Sequence, residues 1–269
     1  MYRRETFRWH YAVAGAACLG ALLPFVWLFG ISLNPTQGIA LPHGNATARN
    51  YVAVLVDSGM ARYFFNTALV AAATVVLTLA CALLGAYAAS RYRFAGKEWI
   101  LMALLASSMI PVIAVLVPLY ALVAKAHLLN TYAVLIFVFS SWQVPAALWL
   151  IRSFLDDIPF ELDEAAQVDG CSRVSAFIRI VLPLLGPGLI SAGIVIFVYV
   201  WNEFIIAVSL AAKQDMRLVA VGLYFYVTEF GVEWGKIAAG AILAVIPVMI
   251  VFFVLQRRLI SGLTAGAIK

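Results

Sequence analysis

The sequence predicts an all-α membrane protein with six transmembrane helices, and three observations carry that expectation. Of the 269 residues, 65% are apolar and only 12% charged, with a mean hydropathy of +1.00, whereas a soluble domain carries about 25% charged residues. The apolar residues gather in six runs, each near the ~20 residues that cross ~30 Å of hydrocarbon as a helix. Between the fourth and fifth runs lies one polar island, 156–183, where six of the thirteen acidic residues fall between Asp156 and Asp169. Backbone groups in hydrocarbon have to be satisfied internally, and the run lengths, with no alternation of apolar and polar residues, favour helices over a barrel.

The runs cover about 11–33, 64–89, 100–124, 128–155, 184–210 and 237–255 of a single domain, 1–269. The first follows Arg3, Arg4 and Arg8 and exceeds the 7–15-residue apolar core of a signal peptide, so it reads as a retained span. A polar connection, 34–62, contains Pro35, Pro42 and Gly44 and predicts a short helix near 50–56. The second run has no charge and ends at Arg91, Arg93 and Lys97. Pro111 and Pro118 are expected kink sites in the third. The fourth contains Pro145 and, near its end, Arg152. The apolar stretch 218–228 is half a membrane thick and reads as an external or re-entrant segment. Six crossings put both termini on one side. That side then holds twelve of the eighteen Lys and Arg residues, which makes it cytoplasmic by the positive-inside rule and places the island there too. The net charge of +5 is therefore topology information, and no nucleic-acid partner is expected. Cys18, Cys81 and Cys171 read as reduced, packed thiols, with neither a disulfide framework nor metal spacing.

Within the island, Asp156 and Asp157 are N-cap candidates and Pro159 suits a first helical position. Glu161, Asp163 and Glu164 fall early in that helix, where the macrodipole favours negative charge. Gly170 ends it with positive φ, and Ser172 caps a second short helix running through Phe177 to Ile180, before Pro183. Helix, glycine elbow, helix is the expected form. Ala165 and Ala166 leave a low surface on which a partner backbone can approach.

Catalytic signatures do not appear. There is no G-x-x-x-x-G-K-[ST] phosphate loop, and His10, His43 and His127 are not spaced as metal ligands. No cofactor is expected, and energy has to come from an ion gradient or another subunit. Asn202 and Glu203, in Trp201-Asn202-Glu203-Phe204, have two readings: they line a translocation path, or the segment has reached the outer interface and Glu203 lies in water. Asn66 and Thr67, and the group Ser140, Ser141 and Gln143, read as hydrogen-bonding glue between helices.

The island's wording carries a family resemblance. Glu164-Ala165-Ala166, then Asp169-Gly170, then Ile180 and Leu182-Pro183 resemble, at their set spacing, the EAA signature of ABC-importer permeases. Arg91-Tyr-Arg-Phe-Ala-Gly-Lys97, Trp201-Asn202-Glu203-Phe204 and the ending from Gln256 to Lys269 are similar to carbohydrate-type permeases, particularly the smaller maltose-type subunit. Ala95 stands where that group usually has Pro, and Asn34-Pro35 where it often has Lys-Pro. The resemblance implies that 156–183 is a cytoplasmic coupling helix between spans four and five. Glu164, Ala165, Ala166, Asp169, Gly170, Leu182 and Pro183 would then meet an ATP-binding subunit. It also implies a second, related permease subunit in a heterodimer, two ATP-binding cassette subunits, an extracellular or periplasmic solute-binding protein, and a sugar or sugar-derived substrate, in a bacterial or archaeal cell membrane. The competing expectation is a gradient-driven carrier or channel. It calls for intramembrane charge pairs or repeated broken helices, and the sequence is poor in both.

Overall fold

The structure is a computed structural model that describes residues 3–35, 38–41, 46–57, 59–228 and 231–265, with side chains over 9–256 of these apart from Asp57. Pro42, Gly44, His43, the side chains of Arg3, Arg4 and Arg8, and the tail side chains from Arg257 onward lie outside the described residues.

Among the described residues the regular structure is helical apart from one hairpin of two two-residue strands. The helices run α1 (Arg3–Ser32), α2 (Arg49–Val52, continued by a π-turn over Ala53–Asp57), α3 (Met60–Arg91), α4 (Lys97–Ser108), α5 (Val112–Lys125) and α6 (Tyr132–Asp156). The island forms α7 (Glu161–Val168), α8 (Arg173–Ala176), a π-turn over Phe177–Val181, and α9 (Leu182–Leu184). After it come α10 (Gly186–Asn202), α11 (Ile205–Leu210), α12 (Val219–Tyr224), the hairpin β1 (Val227–Thr228) with β2 (Gly231–Val232), and α13 (Trp234–Ala265).

Four helices, over Trp9–Ser32, Met60–Arg91, Tyr132–Asp156 and Trp234–Gln256, are long and apolar enough to cross a membrane, and two bent pairs bring the number to six. The third expected span is one of those pairs: α4 and α5 meet at 94°. Pro111 causes the break. It lacks an N–H, restricts the residue before it, and adopts an extended ψ of 132° as the cap of α5. Pro118 sits inside α5, where the helix continues. The fifth expected span, 184–210, begins at a 69° bend between the 173–184 segment and α10, and its helix stops at Glu203 before α11.

The described residues divide into two compact units. One comprises Met1–Arg62 with Gly222–Pro247, the other Tyr63–Val221 with Val248–Lys269. In the first, Asn50 on α2 donates from Nδ2 to the carbonyls of Ser32 (2.9 Å) and Asn34 (2.8 Å), tying the short helix to the end of α1. Gly235 at the start of α13 is a close-approach glycine: a Cβ there would lie 2.6 Å from Asn50 Nδ2.

The second unit holds the hydrophobic core, in which Leu135, Phe139, Ile151, Leu185 and Leu210 have no measurable exposure. Two groups of polar contacts in it lie at the two ends of α3. At the N-terminal end, Asn66 donates to the carbonyls of Asp215 (2.9 Å) and Arg217 (3.0 Å) and accepts from Tyr132 Oη at 2.7 Å. Thr67 Oγ1 accepts from the Val219 amide (2.9 Å), and Asn130 Oδ1 from the Lys213 amide (2.8 Å). These side chains hold 213–219 by its backbone, which is the gluing role their burial in an apolar run requires. In α6, Ser141 bonds its own helix through the Phe137 carbonyl.

Candidate functional site

The C-terminal end of α3 and the island build one site. Helix α7 begins at Glu161 with Phe160 as its cap and no side-chain cap bond. Asp156 and Asp157 do not cap it, contrary to expectation, because α6 extends through Asp156. Asp156 instead accepts from Ser90 Oγ at 2.6 Å and pairs with Arg152 at 3.4 Å. Helix α7 ends in a Schellman turn: the Cys171 amide reaches the Ala166 carbonyl (2.9 Å) and the Gly170 amide that of Gln167 (3.1 Å). Gly170 adopts φ +88° with open space around its Cβ direction, so backbone conformation alone calls for glycine there. Ser172 then caps α8, its side chain accepting from the Ser175 amide at 3.2 Å. The helix continues past Val181 through a π-turn, in which the Leu182 amide donates to the Phe177 carbonyl. Pro183 follows at once inside α9, where its missing N–H is accommodated next to the irregular turn.

The island is fastened to α3 by charge. Arg91 Nε lies 2.9 Å from Asp163 Oδ2, and the two side chains are only 7% and 5% exposed. Arg91 Nη2 donates to the Ile158 carbonyl (2.9 Å), and the guanidinium stands 5.8 Å from the Phe160 ring centroid. One turn earlier, Tyr87 packs on Phe177, with ring centroids 4.5 Å apart. The last turn of α3 thus touches both limbs of the elbow, α7 through Asp163 and the segment after α8 through Phe177. A cavity of about 100 Å³ remains between them, bordered by Tyr87, Arg91, Asp163, Gln167 and Arg173.

Of the residues singled out in the sequence, Glu164, Ala165, Asp169 and Gly170 are exposed, Leu182 is half-buried and Pro183 is exposed. Ala166 is 3% exposed and faces the protein interior, which narrows the low partner-facing surface to Ala165. The exposed face also carries apolar residues, Val168 at 87%, Val174 at 67% and Ile178 at 54%, a grouping suited to burial against another molecule. Sequence reasoning placed Asp163 in the island helix and Arg91 in the basic turn but did not pair them. The available signal was that Asp163 and Ala166, three apart, share one helix face.

Asn202 is exposed and donates back to the Val198 carbonyl (2.8 Å). Both carboxylate oxygens of Glu203 accept backbone amides, from Ile206 and Ala207 at 3.0 Å each. The side chain therefore restarts the helix as α11, whichever surface the break faces.

Among the described residues no group of three or more His, Cys, Asp or Glu could hold a metal ion. The chain thus combines four to six helices long and apolar enough to cross a membrane with an exposed elbow braced on one of them. The profile of the family described as "Binding-protein-dependent transport system inner membrane component" matches residues 81–264, and the chain belongs to that family. It is 32% identical over 96% of its length, and 93% of the relative's, to the sulfoquinovosyl glycerol transport system permease protein SmoH of Agrobacterium fabrum. It is 34% identical to the trehalose/maltose transport system permease protein MalG of Thermococcus litoralis, over 99% of both chains. Its fold is similar to that of a chain in the crystal structure of a bacterial ABC transporter involved in the import of the acidic polysaccharide alginate. There the TM-score is 0.79 at 22% identity, with 94% of this chain and 96% of that one covered. The protein is thus an ABC permease subunit, and ATP hydrolysis belongs to a separate subunit.

Proposed function

We propose that this permease imports a sugar or sugar-derived solute, pairing with a second, related permease subunit and two ATP-binding cassette subunits. It takes its solute from a binding protein on the outer side, and both of its termini face the cytoplasm. The substrate class rests on relatives whose names specify sulfoquinovosyl glycerol, trehalose and maltose. The single observation that carries the mechanism is the seating of the elbow: one limb bonded to the end of a membrane helix, the opposite face exposed.

In this reading Glu164 makes a charge-assisted pair with a basic residue of the ATPase. Ala165 admits its backbone, and Val168 is buried on docking. Asp169 and Gly170 set the angle between limbs, Ala166 packs the elbow from within, and Leu182 and Pro183 join it to the fifth span. Closure of the ATPase dimer rocks the bundle between inward- and outward-facing states. The helix break at Asn202 and Glu203 borders the solute path, since interrupted helices serve ligand sites within membranes.

The test is co-purification in detergent followed by reconstitution with internal ATP, offering labelled trehalose, maltose, sulfoquinovosyl glycerol and an amino acid as control. ATP-dependent uptake of one carbohydrate, lost in Glu164→Lys while the chain stays membrane-inserted, is the expected result. Uptake without any ATP-binding subunit, or full uptake by Gly170→Pro, overturns the proposal.

A further inference from the structure

We infer that Arg91 and Asp163 are positioning residues for energy coupling: their buried pair makes α3 and the elbow one rigid body, so that α3 moves whenever the elbow is moved. The inference rests on the proposed ATP-driven reading and adds the residue pair through which displacement reaches the bundle.

Four observations converge on it. The pair is nearly solvent-free, at 7% and 5% side-chain exposure, with its charged atoms 2.9 Å apart. The guanidinium is used a second time, on the Ile158 carbonyl at the entrance to α7. Ser90, the neighbouring residue, holds Asp156 at 2.6 Å, before the elbow begins. Tyr87, one turn back, packs on Phe177 beyond the glycine. One helical turn therefore grips the island before, within and after its bend. Arg91 suits this because one guanidinium reaches two partners at once, Asp163 through Nε as an ion pair and the Ile158 carbonyl through Nη2 as a hydrogen bond, which a single lysine ammonium matches less well. Glu161, Glu164 and Asp169 are exposed and remain available to a partner, whereas Asp163 is committed inward. The cluster of carboxylates thus divides into one buried anchor, Asp163, an exposed one, Asp156, that is also bonded to α3, and others that meet solvent.

The experiment uses the assembled transporter with spin labels at Leu162 on the elbow and Val76 on α3, both exposed. Distances are read without nucleotide and after trapping with ATP and vanadate. In the otherwise wild-type protein the distribution stays narrow and the same in both states. In Asp163→Asn it broadens and shifts with nucleotide while the ATP-binding subunit still co-purifies and hydrolyses ATP. The charge swap Arg91→Asp with Asp163→Arg narrows it again. A pair that only stabilised the fold would change the yield of complex and leave the distance insensitive to nucleotide.

If Asp163→Asn does not assemble, Arg91→Lys takes its place, with the same broadening expected. A wild-type shift larger than about one helical turn, ~5.4 Å, overturns the inference, as does a variant distribution as narrow and invariant as wild type. Should the wild-type chain bind no ATP-binding subunit, the proposed function fails first, and this inference fails with it.

Discussion

At its N-terminal end α3 holds the 213–219 segment through neutral side chains bonded to backbone, and at its C-terminal end it holds α7 through two opposite charges. Asn66 and Thr67 do the first, at 2.9 to 3.0 Å from their backbone partners. Arg91 and Asp163 do the second, at 2.9 Å. From Thr67 to Arg91 the helix rises about 36 Å, so the two fastenings stand apart by more than the hydrocarbon thickness. The contrast lies in how each one fails. A neutral hydrogen bond contributes about 1 kcal/mol net and its loss is graded. Removing one partner of a buried ion pair strands the other charge, so that fastening is close to all-or-none. A loop that only needs a fixed place can rely on the first kind. An element that has to transmit force without slipping is better served by the second.

The sharpest way to break this comparison is Asp163→Ala, which leaves the Arg91 guanidinium buried and unpaired. It should cost about 3–5 kcal/mol in thermal unfolding of the detergent-solubilised protein, and replacing both residues together by Met and Leu should recover most of that. A single-variant cost in the range of an exposed pair, about 0–1 kcal/mol, would erase the distinction between the two ends. Next in size is Asn66→Ala, which removes three hydrogen bonds yet strands no charge and should cost about 1–3 kcal/mol. Limited trypsin digestion at Lys213 and Arg217 checks it: cleavage should speed up there while the elbow keeps its protection. Gly170→Ala should cost about 1–2 kcal/mol, from the positive φ alone, because open space surrounds the added methyl. Thermal unfolding of this variant beside Asp163→Ala separates the cost of bending the elbow from the cost of detaching it. Smallest is Arg152→Met, which removes a pair whose Asp156 side is half-exposed and should change stability by about 0–1 kcal/mol, with the ionic part of the effect screened at high salt.

Helix positions were legible in the sequence because hydrocarbon thickness imposes run lengths that survive in a linear reading. The breaks were legible only as places. Pro111 and Pro118 look alike in sequence, yet the chain turns by 94° before one and passes straight through the other. At Pro111 the preceding helix has already ended at Ser108 and the proline caps α5 in an extended conformation, whereas Pro118 lies within α5, a difference the linear pattern does not display. The elbow itself was readable from the glycine and the Ser172 cap, since both act within a few residues. Asp156 was misread as a cap for a different reason: its partner, Ser90, lies on another helix. The same holds for Asp163, whose partner is remote in sequence and was counted in the basic turn as a topology signal. Charges can be counted from sequence, but pairing them requires the fold.

The distance along the chain between Arg91 and Asp163 bears on how the protein is made. When α3 leaves the ribosome, its terminal arginine has no acidic counterpart, and its full charge is available to orient the nascent helix in the bilayer. Helices α4, α5 and α6 must all be synthesised before the aspartate emerges. Only then is the arginine neutralised and enclosed. With the termini in the cytoplasm as proposed, one guanidinium serves twice in succession, as an orientation signal during insertion and as a lock once insertion is complete, and a chain whose fourth span failed to enter would be left displaying an unmatched charge.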